Sequence, residues 1–251
     1  MEKYDVVVVG ASAAGITAAL TVRNHYPEAS VAIIRKEELV SIPCGIPYTF
    51  GIIGSPMKNL IPVDNMMSKN KVKTFVDEVV DIQKDERILN TKSGKTFRYE
   101  RLILATGSSP VVPPIPGTEK HNVFAIDKSV PYLESLIEGL GNAKDLCIVG
   151  CGFIGVEIAE ECRRKRPDLN ITIVEMLSHC LQLVYDKEFS LKAEETLKAQ
   201  RINLLLDEKV SSLFGKEAVE GIILSSGKSI KADIVIMGIG AKANSELAEE
   251  A

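Results

Sequence analysis

The hydrophobic pattern repeats itself along the chain. Val6 to Val9 is an unbroken β-branched run, and residues 5–10 read as a fully buried strand. Residues 13–25 read as a helix closed before Pro27, and 30–35 (Ser-Val-Ala-Ile-Ile-Arg) as the next strand. That order predicts a βαβ unit on a parallel sheet. The pattern returns as a strand over 145–149, a helix over 153–165 stopped at Pro167, and a strand over 170–175. Between the two units, 72–81 and 87–91 carry strand signals, with Ser93-Gly94 as a turn, and Tyr99 to Leu104 is a further apolar strand. After the second unit come a helix over 187–200 and strands over 202–206, 219–224 and 232–237, with Ser226-Gly227 as a hairpin turn. Leu39 to Pro62 has no clean period and is rich in Gly, Pro and Ile, as active-site loops are. Pro110 to Pro116 is the candidate linker, and Gly238 to Ala251 leaves the sheet.

The expected fold is therefore α/β: two Rossmann-like, three-layer nucleotide-binding domains with mostly parallel central sheets. Residues 1–112 form the first domain, 113–238 the second, and 239–251 return toward the first.

Both units carry the same glycine signature in one register. Gly150, Gly152 and Gly155 follow Gly10, Ser12 and Gly15 at a constant offset of 140 residues. In Gly150-x-Gly152-x-x-Gly155 the first Gly permits a tight turn, the second lets backbone approach a pyrophosphate, and the third lets helix and strand pack closely. The helix N-terminus then offers N–H groups and a positive dipole end to phosphate. Phe153 and Ile154 fill the variable positions of this dinucleotide site. Glu175, twenty residues after Gly155, is placed to accept from a ribose 2′-OH and to repel a 2′-phosphate, favouring NADH. In the first copy Ser12 replaces the middle Gly, and Arg35 stands where the acid is expected, followed by Lys36, Glu37 and Glu38. Arg35 there meets a 2′-phosphate or stacks on an adenine, unless the strand end is shifted and Glu37 takes the ribose. The bland alternative is a solvated charged turn.

Composition narrows the function. A net charge of −4, from 30 basic and 34 acidic residues, argues against a general nucleic-acid binder. No apolar run approaches a membrane span, and the start of the chain reads as a buried strand, not a signal peptide. Five cysteines in 251 residues make no dense disulfide framework, so a reducing, cytoplasmic setting is expected. No Cys/His spacing suggests a metal site, and Gly10-Ala11-Ser12-Ala13-Ala14 fails the nucleophile-elbow pattern. Cys44 lies alone in the unpatterned segment; at a helix start its thiolate gains dipole stabilisation. Cys147, Cys151, Cys162 and Cys180 read as structural.

Gly10 to Gly15, Ser41-Ile42-Pro43-Cys44-Gly45-Ile46-Pro47-Tyr48, Tyr99 to Gly107, Gly150 to Gly155 with Glu157, and Asp233 to Gly238 together resemble the flavin-dependent pyridine nucleotide–disulfide oxidoreductases. The likeness is to their single-cysteine branch: coenzyme A-disulfide reductases, NADH oxidases and persulfide reductases. It covers essentially the whole chain, and it implies that the second domain is inserted into the first. The resemblance implies FAD on Gly10, Ser12 and Gly15, with Val79 at its adenine and Ala105, Thr106 and Gly107 closing the site; Arg35, with Lys36 beside it, is a candidate cofactor contact that departs from the acid this family usually places at the FAD ribose. It implies NADH on Gly150, Gly152, Gly155 and Glu175, with Glu157 near the nicotinamide. Hydride passes to the flavin and electrons reach Cys44, which attacks a small disulfide, persulfide or peroxide; Arg23, Ser41 and Tyr48 touch a coenzyme A-like substrate. Family members continue past Asn244-Ser245-Glu246-Leu247 into a second FAD segment and a dimerisation domain. The resemblance thus implies a C-terminally truncated chain with a weakened FAD site and no family dimer. Two rival readings stand beside it: a non-catalytic nucleotide-binding fragment, and a flavin reductase that passes electrons to a partner protein without any cysteine.

Overall fold

The computed structural model describes residues 1–251. Packing divides them into two compact units: Met1–Pro43, Leu60–Ser109 and Ala243–Ala251 in the first, Cys44–Asn59 and Pro110–Lys242 in the second. By this measure the cysteine-bearing stretch 44–59 groups with the second unit.

The first unit runs β1 (Glu2–Val9), α1 (Ala13–His25), β2 (Val31–Arg35), α2 (Val63–Lys69), β3 (Val72–Val76), β4 (Val79–Gln83), β5 (Ile88–Thr91) and β6 (Thr96–Leu104). Its sheet has the order β3-β2-β1-β6-β5-β4. Strands β3, β2, β1 and β6 are parallel, and β4, β5 and β6 form an antiparallel meander. Strand alternation sorts the core. Val6, Val8, Val31 and Ile33 pack with Ile16 of α1 and Met67 of α2 on one face. Val7, Val9, Ala32 and Ile34 pack with Leu89 and Phe97 on the other. A strand buried on both faces has to be apolar throughout, which explains the unbroken Val6–Val9 run.

The chain crosses through β7 (Ser108–Pro110) into β8 (Val123–Ala125), α3 (Val130–Asn142), β9 (Asp145–Val149), α4 (Phe153–Lys165), β10 (Asn170–Val174), α5 (Lys187–Ala199) and β11 (Ile202–Leu205). It continues as β12 (Val210–Phe214), β13 (Gly221–Leu224), β14 (Ser229–Lys231) and β15 (Ile234–Met237), and returns through β16 (Ala241–Ala243). The main sheet of this unit is wholly parallel, in the order β11-β10-β9-β15-β8, and β12-β13-β14 form a separate antiparallel sheet.

The fold is thus mixed α/β with parallel-rich sheets. Several elements went unread in the sequence: α2, β8, α3, β12 and β14. Helix α3 is the largest. Its buried residues Val130, Leu133, Leu136 and Leu140 keep helical spacing, but Pro131, Gly139 and Gly141 disguise it. Pro131 is tolerated because it stands in the first turn, where its missing N–H costs nothing. No helix is long and apolar enough to cross a membrane.

The offset of 140 holds in three dimensions. Gly10 N–H donates to Ile34 O and Gly150 N–H to Val174 O, both at 2.8 Å. Arg23 binds the carbonyls of Ala29 and Asn70. Arg163, its counterpart, binds those of Pro167 and Arg201. Each arginine ties its helix to the loop that follows it and to the entry of the third strand. Arg23 therefore has a structural task, set beside the substrate contact expected from the resemblance.

Candidate functional site

Each unit reverses its strand order beside its first strand. Chain growth goes from β1 to β2 on one side while β6 lies on the other, and from β9 to β10 while β15 lies on the other. Ligands of open α/β sheets bind at such points, beyond the carboxyl ends of the strands. Gly10 and Gly150 stand there with φ of +105°, a left-handed conformation that favours glycine. A Cβ on Gly10 would overlap the Ala105 carbonyl, and one on Gly150 the Gly238 carbonyl. A Cβ on Gly15 or Gly155 would overlap the carbonyl of Gly10 or Gly150. Four glycines are thus required by the backbone itself. Gly152 is different: a Cβ there meets nothing within 4 Å. The fold does not need glycine at 152, so the empty space is available to a ligand.

That space opens into a cavity of about 660 Å³ in the second unit. The glycine loop, with Phe153 and Ile154, forms one wall, and the loop after β10, from Glu175 to Val184, forms another. Glu175 is at its edge. One carboxylate oxygen accepts the Cys151 N–H at 2.7 Å and the other the Leu177 N–H at 2.9 Å. These bonds fix the carboxylate at the strand tip, and each oxygen keeps acceptor capacity for a ribose hydroxyl. Gly152 caps α4 without any side-chain hydrogen bond, which leaves the first-turn N–H groups for an anion. Glu157 is half-buried on α4, and its carboxyl holds its proton above the usual carboxylate range because of burial, with Glu160 adding to the effect.

The first unit repeats the cradle with changes at the tip. Ser12 caps α1, and its hydroxyl makes no capping bond. Arg35 is buried and its guanidinium is paired with Asp64 at 2.8 Å, while its Nε has no partner. That hydrogen bond lowers the Asp64 pKa. A paired, buried guanidinium does not offer itself to a 2′-phosphate as expected. Lys36 is paired with Glu78, which Lys92 also meets. Val79 opens β4 and is half-buried. Ala105 N–H donates to Val9 O; the Thr106 hydroxyl donates to the Asn244 carbonyl at 2.6 Å, and Asn244 answers through its side-chain amide to Thr106 O and its own N–H to Gly107 O. The glycines, the bare helix end and the Ser12 hydroxyl fit the pyrophosphate of FAD. At the strand end, Arg35 stands where the second unit has Glu175. Asp64 and Asn244 were not singled out in the sequence, because only folding brings them to Arg35 and Thr106.

Cys44 is exposed, in a three-residue 3₁₀ turn (Pro43–Gly45) followed by a second one (Pro47–Phe50). Neither turn is an α-helix start, so the expected dipole stabilisation of the thiolate has no helix behind it. What positions Cys44 is anchoring. Ile46 and Phe50 are buried in one core cluster with Ile158 and Cys162 of α4. Glu161 of α4, itself buried, accepts the Ile52 N–H at 2.7 Å. Gly45 lies against the Asn59 amide and Gly51 against the Glu161 carboxylate, with no room for a Cβ at either. Helix α4 therefore caps the cavity with one end and seats the cysteine segment with its side. Ser41 is buried and Tyr48 exposed. Cys147 and Cys162 are buried free thiols, and burial pushes both up to about 12. Cys151 and Cys180 are joined in a disulfide that nothing in their spacing announced. No His, Cys, Asp and Glu cluster suited to a metal is present.

Known proteins are similar to this chain in sequence and fold. The chain is 34% identical over 257 residues to the CoA-dependent NAD(P)H sulfur oxidoreductase of Pyrococcus furiosus, an alignment taking in 100% of this chain and 57% of that protein. It is 32% identical over 254 residues to the NAD(P)H coenzyme A polysulfide/persulfide reductase of Pyrococcus horikoshii, covering 99% of this chain and 56% of that one. A solved NAD-dependent persulfide reductase from A. fulgidus superposes with a TM-score of 0.90 at 26% identity, over 98% of this chain and 48% of that one. The chain thus spans a little over half the length of the curated relatives it matches. The family model described as pyridine nucleotide-disulphide oxidoreductase matches residues 4–251. The chain belongs to that family, whose oxidoreductases bind FAD and NAD(P)H.

Proposed function

We propose that this chain is the nucleotide-binding and cysteine-bearing part of an NADH-dependent reductase of small disulfides or persulfides, coenzyme A derivatives among them. The observation that carries the reading is the double use of α4. Its N-terminus opens the cavity beside Gly152 and Glu175, and its flank seats the segment that presents Cys44. We assign residues 1–112 to the FAD domain, 113–238 to the NADH domain and 239–251 to the return segment. Gly150, Gly152 and Gly155 leave backbone N–H groups for the pyrophosphate. Glu175 takes the adenosine ribose and repels a 2′-phosphate, which selects NADH over NADPH. Bound FAD supplies the two-electron step between the nicotinamide and a sulfur. The Cys44 thiolate attacks one sulfur of R–S–S–R, expelling R–S⁻ and leaving a mixed disulfide. Two electrons from NADH then reduce that disulfide. The sum is NADH + H⁺ + R–S–S–R giving NAD⁺ and two R–SH, or R–SH and H₂S from a persulfide. The names of the relatives support this choice of substrate. The reading places the reaction in the cytoplasm, where NADH is made.

The test is NADH oxidation by the FAD-supplemented chain with coenzyme A disulfide or a persulfide as acceptor. Cys44→Ser is expected to abolish disulfide-dependent turnover and leave NADH binding unchanged. If Cys44→Ser retained NADH-driven electron transfer to a small iron–sulfur or rubredoxin-type protein, the partner-reductase reading would replace this one.

A further inference from the structure

The cavity wall contains a covalent cross-link that the proposed reaction does not use. Cys151 is the first variable residue of the glycine loop, and Cys180 sits 29 residues on, in the loop between β10 and α5. That second loop forms one wall of the cavity. It has few other ties to the glycine loop. Leu181 N–H donates to Cys151 O at 2.8 Å, and Glu175 bonds the N–H groups of Cys151 and Leu177. From behind, buried Glu194 of α5 accepts the Cys180 N–H at 3.2 Å and faces His179 Nδ1 at 3.1 Å. Beyond Cys180 the loop turns to solvent, with Leu183 85% and Val184 54% exposed. Cys151 lines the cavity, but both half-cystines are buried with Ile158 and Leu197, so a thiol reaches the cross-link only when this loop opens.

We propose that Cys151–Cys180 is a thiol-exchangeable tether that sets the affinity of the nucleotide cavity. The proposal rests on the reading of this cavity as the NADH site. Oxidised, the cross-link holds the wall from Met176 to Val184 against the glycine loop; reduced, the wall is left with these hydrogen bonds and the edge-on contact of Tyr185 with Phe153. The exchange balances without any further reagent. A thiolate attacks one of the two sulfurs, the Cys151–Cys180 bond breaks, and a mixed disulfide forms. A second thiol displaces the protein sulfur, so two protein thiols appear and two small thiols become one disulfide. Small thiols are also the products of the proposed reaction, so accumulating product loosens the chain's own nucleotide site. By linkage, NADH must favour the oxidised tether by the same factor as the tether favours NADH. A tenfold effect is about 30 mV in the midpoint of this two-electron couple.

The experiment equilibrates the intact chain in buffers of stepped reduced-to-oxidised dithiothreitol. It reads NADH affinity by nucleotide fluorescence and free thiols by alkylation and mass spectrometry. The expected thiol count rises from three (Cys44, Cys147 and Cys162) to five. NADH affinity is expected to fall about tenfold across the same transition, saturating NADH to move the midpoint toward more reducing buffers, and Cys180→Ser to show the weak affinity in every buffer. Unchanged affinity across a three-to-five transition overturns the proposal, as does a count of five under oxidising conditions. Loss of cooperative thermal unfolding on reduction would make the cross-link a staple of the fold and equally overturn it. If the oxidised chain binds no NADH, the site reading fails separately. Hydrogen exchange over residues 176–184 then decides the tether, faster exchange on reduction supporting it and unchanged exchange sinking it.

Discussion

Gly152 and Gly155 are glycine for different reasons, and substitution separates them. Gly155→Ala forces a Cβ into the Gly150 carbonyl, so it is expected to cost about 1–3 kcal/mol of stability. Gly152→Val enters open space at an ordinary φ of −80°. It is expected to leave the melting temperature within roughly 2 °C while weakening NADH binding at least about tenfold. Paired thermal melts and NADH titrations distinguish the two, and a Gly152→Val chain that binds NADH normally would remove the pyrophosphate from this loop. Arg23 and Arg163 make a second pair. Arg23→Ala and Arg163→Ala each strip charged donors from two carbonyls, with an expected loss of about 1–3 kcal/mol, or roughly 3–10 °C in Tm. KM for the disulfide is expected to stay constant in Arg23→Ala; a raised KM at unchanged Tm would make Arg23 a substrate contact. The glycines were legible in the sequence because turn and close approach act over a few residues. Asp64 beside Arg35, and Cys180 beside Cys151, were not legible, because the start of α2 meets the tip of β2, and the loop before α5 meets the glycine loop, only after the sheets have assembled.

At the scale of elements, the segment around Cys44 owes its placement to α4 and not to any helix of its own. The Glu161 carboxylate reaches Ile52 across 109 residues of sequence. Glu161→Ala is expected to free the Ile52 amide, raising its hydrogen exchange at least about tenfold and costing about 1–3 kcal/mol. If Ile52 exchange were unchanged, the segment would be held by Ile46 and Phe50 alone. The two βαβ units were readable because their strands are apolar on both faces and their helices stop at Pro27 and Pro167. Helix α3 was not, since Pro131, Gly139 and Gly141 read as loop punctuation although Leu133, Leu136 and Leu140 keep a helical face. The two 3₁₀ turns around Cys44 have no period to betray them.

Across the whole molecule, carboxylates set the response to acid. Asp233 accepts the N–H groups of Lys144 and Asp145, the first of which chiefly lowers its pKa. Hydrogen bonds from Lys36 and Lys92 lower that of Glu78. A lowered folded pKa gives stability that is present above the unfolded value and is lost as pH falls through the folded one. Glu157 works the other way: raised by burial, its contribution is present below the unfolded value and is lost as pH rises through the folded one. The lowered groups outnumber it, so Tm is expected to decline by roughly 2–4 °C between pH 5 and pH 3, about 1 kcal/mol after allowing for solvent screening. A melting temperature flat over that range would show these bonds to be equally strong when protonated.

The 140-residue correspondence turns the chain into its own control specimen. Wherever both halves face the same folding problem they have kept one answer, as with Asp5 and Asp145, Gly10 and Gly150, Arg23 and Arg163. Mismatched partners such as Ala11 and Cys151, Ser12 and Gly152, or Arg35 and Glu175 crowd at the strand tips. Exchanging Ser12 and Gly152 between the halves is expected to shift ligand preference while asking little of the scaffold, whereas exchanging Arg35 and Glu175 breaks the buried pair with Asp64 and exchanging Ala11 and Cys151 breaks the cross-link to Cys180.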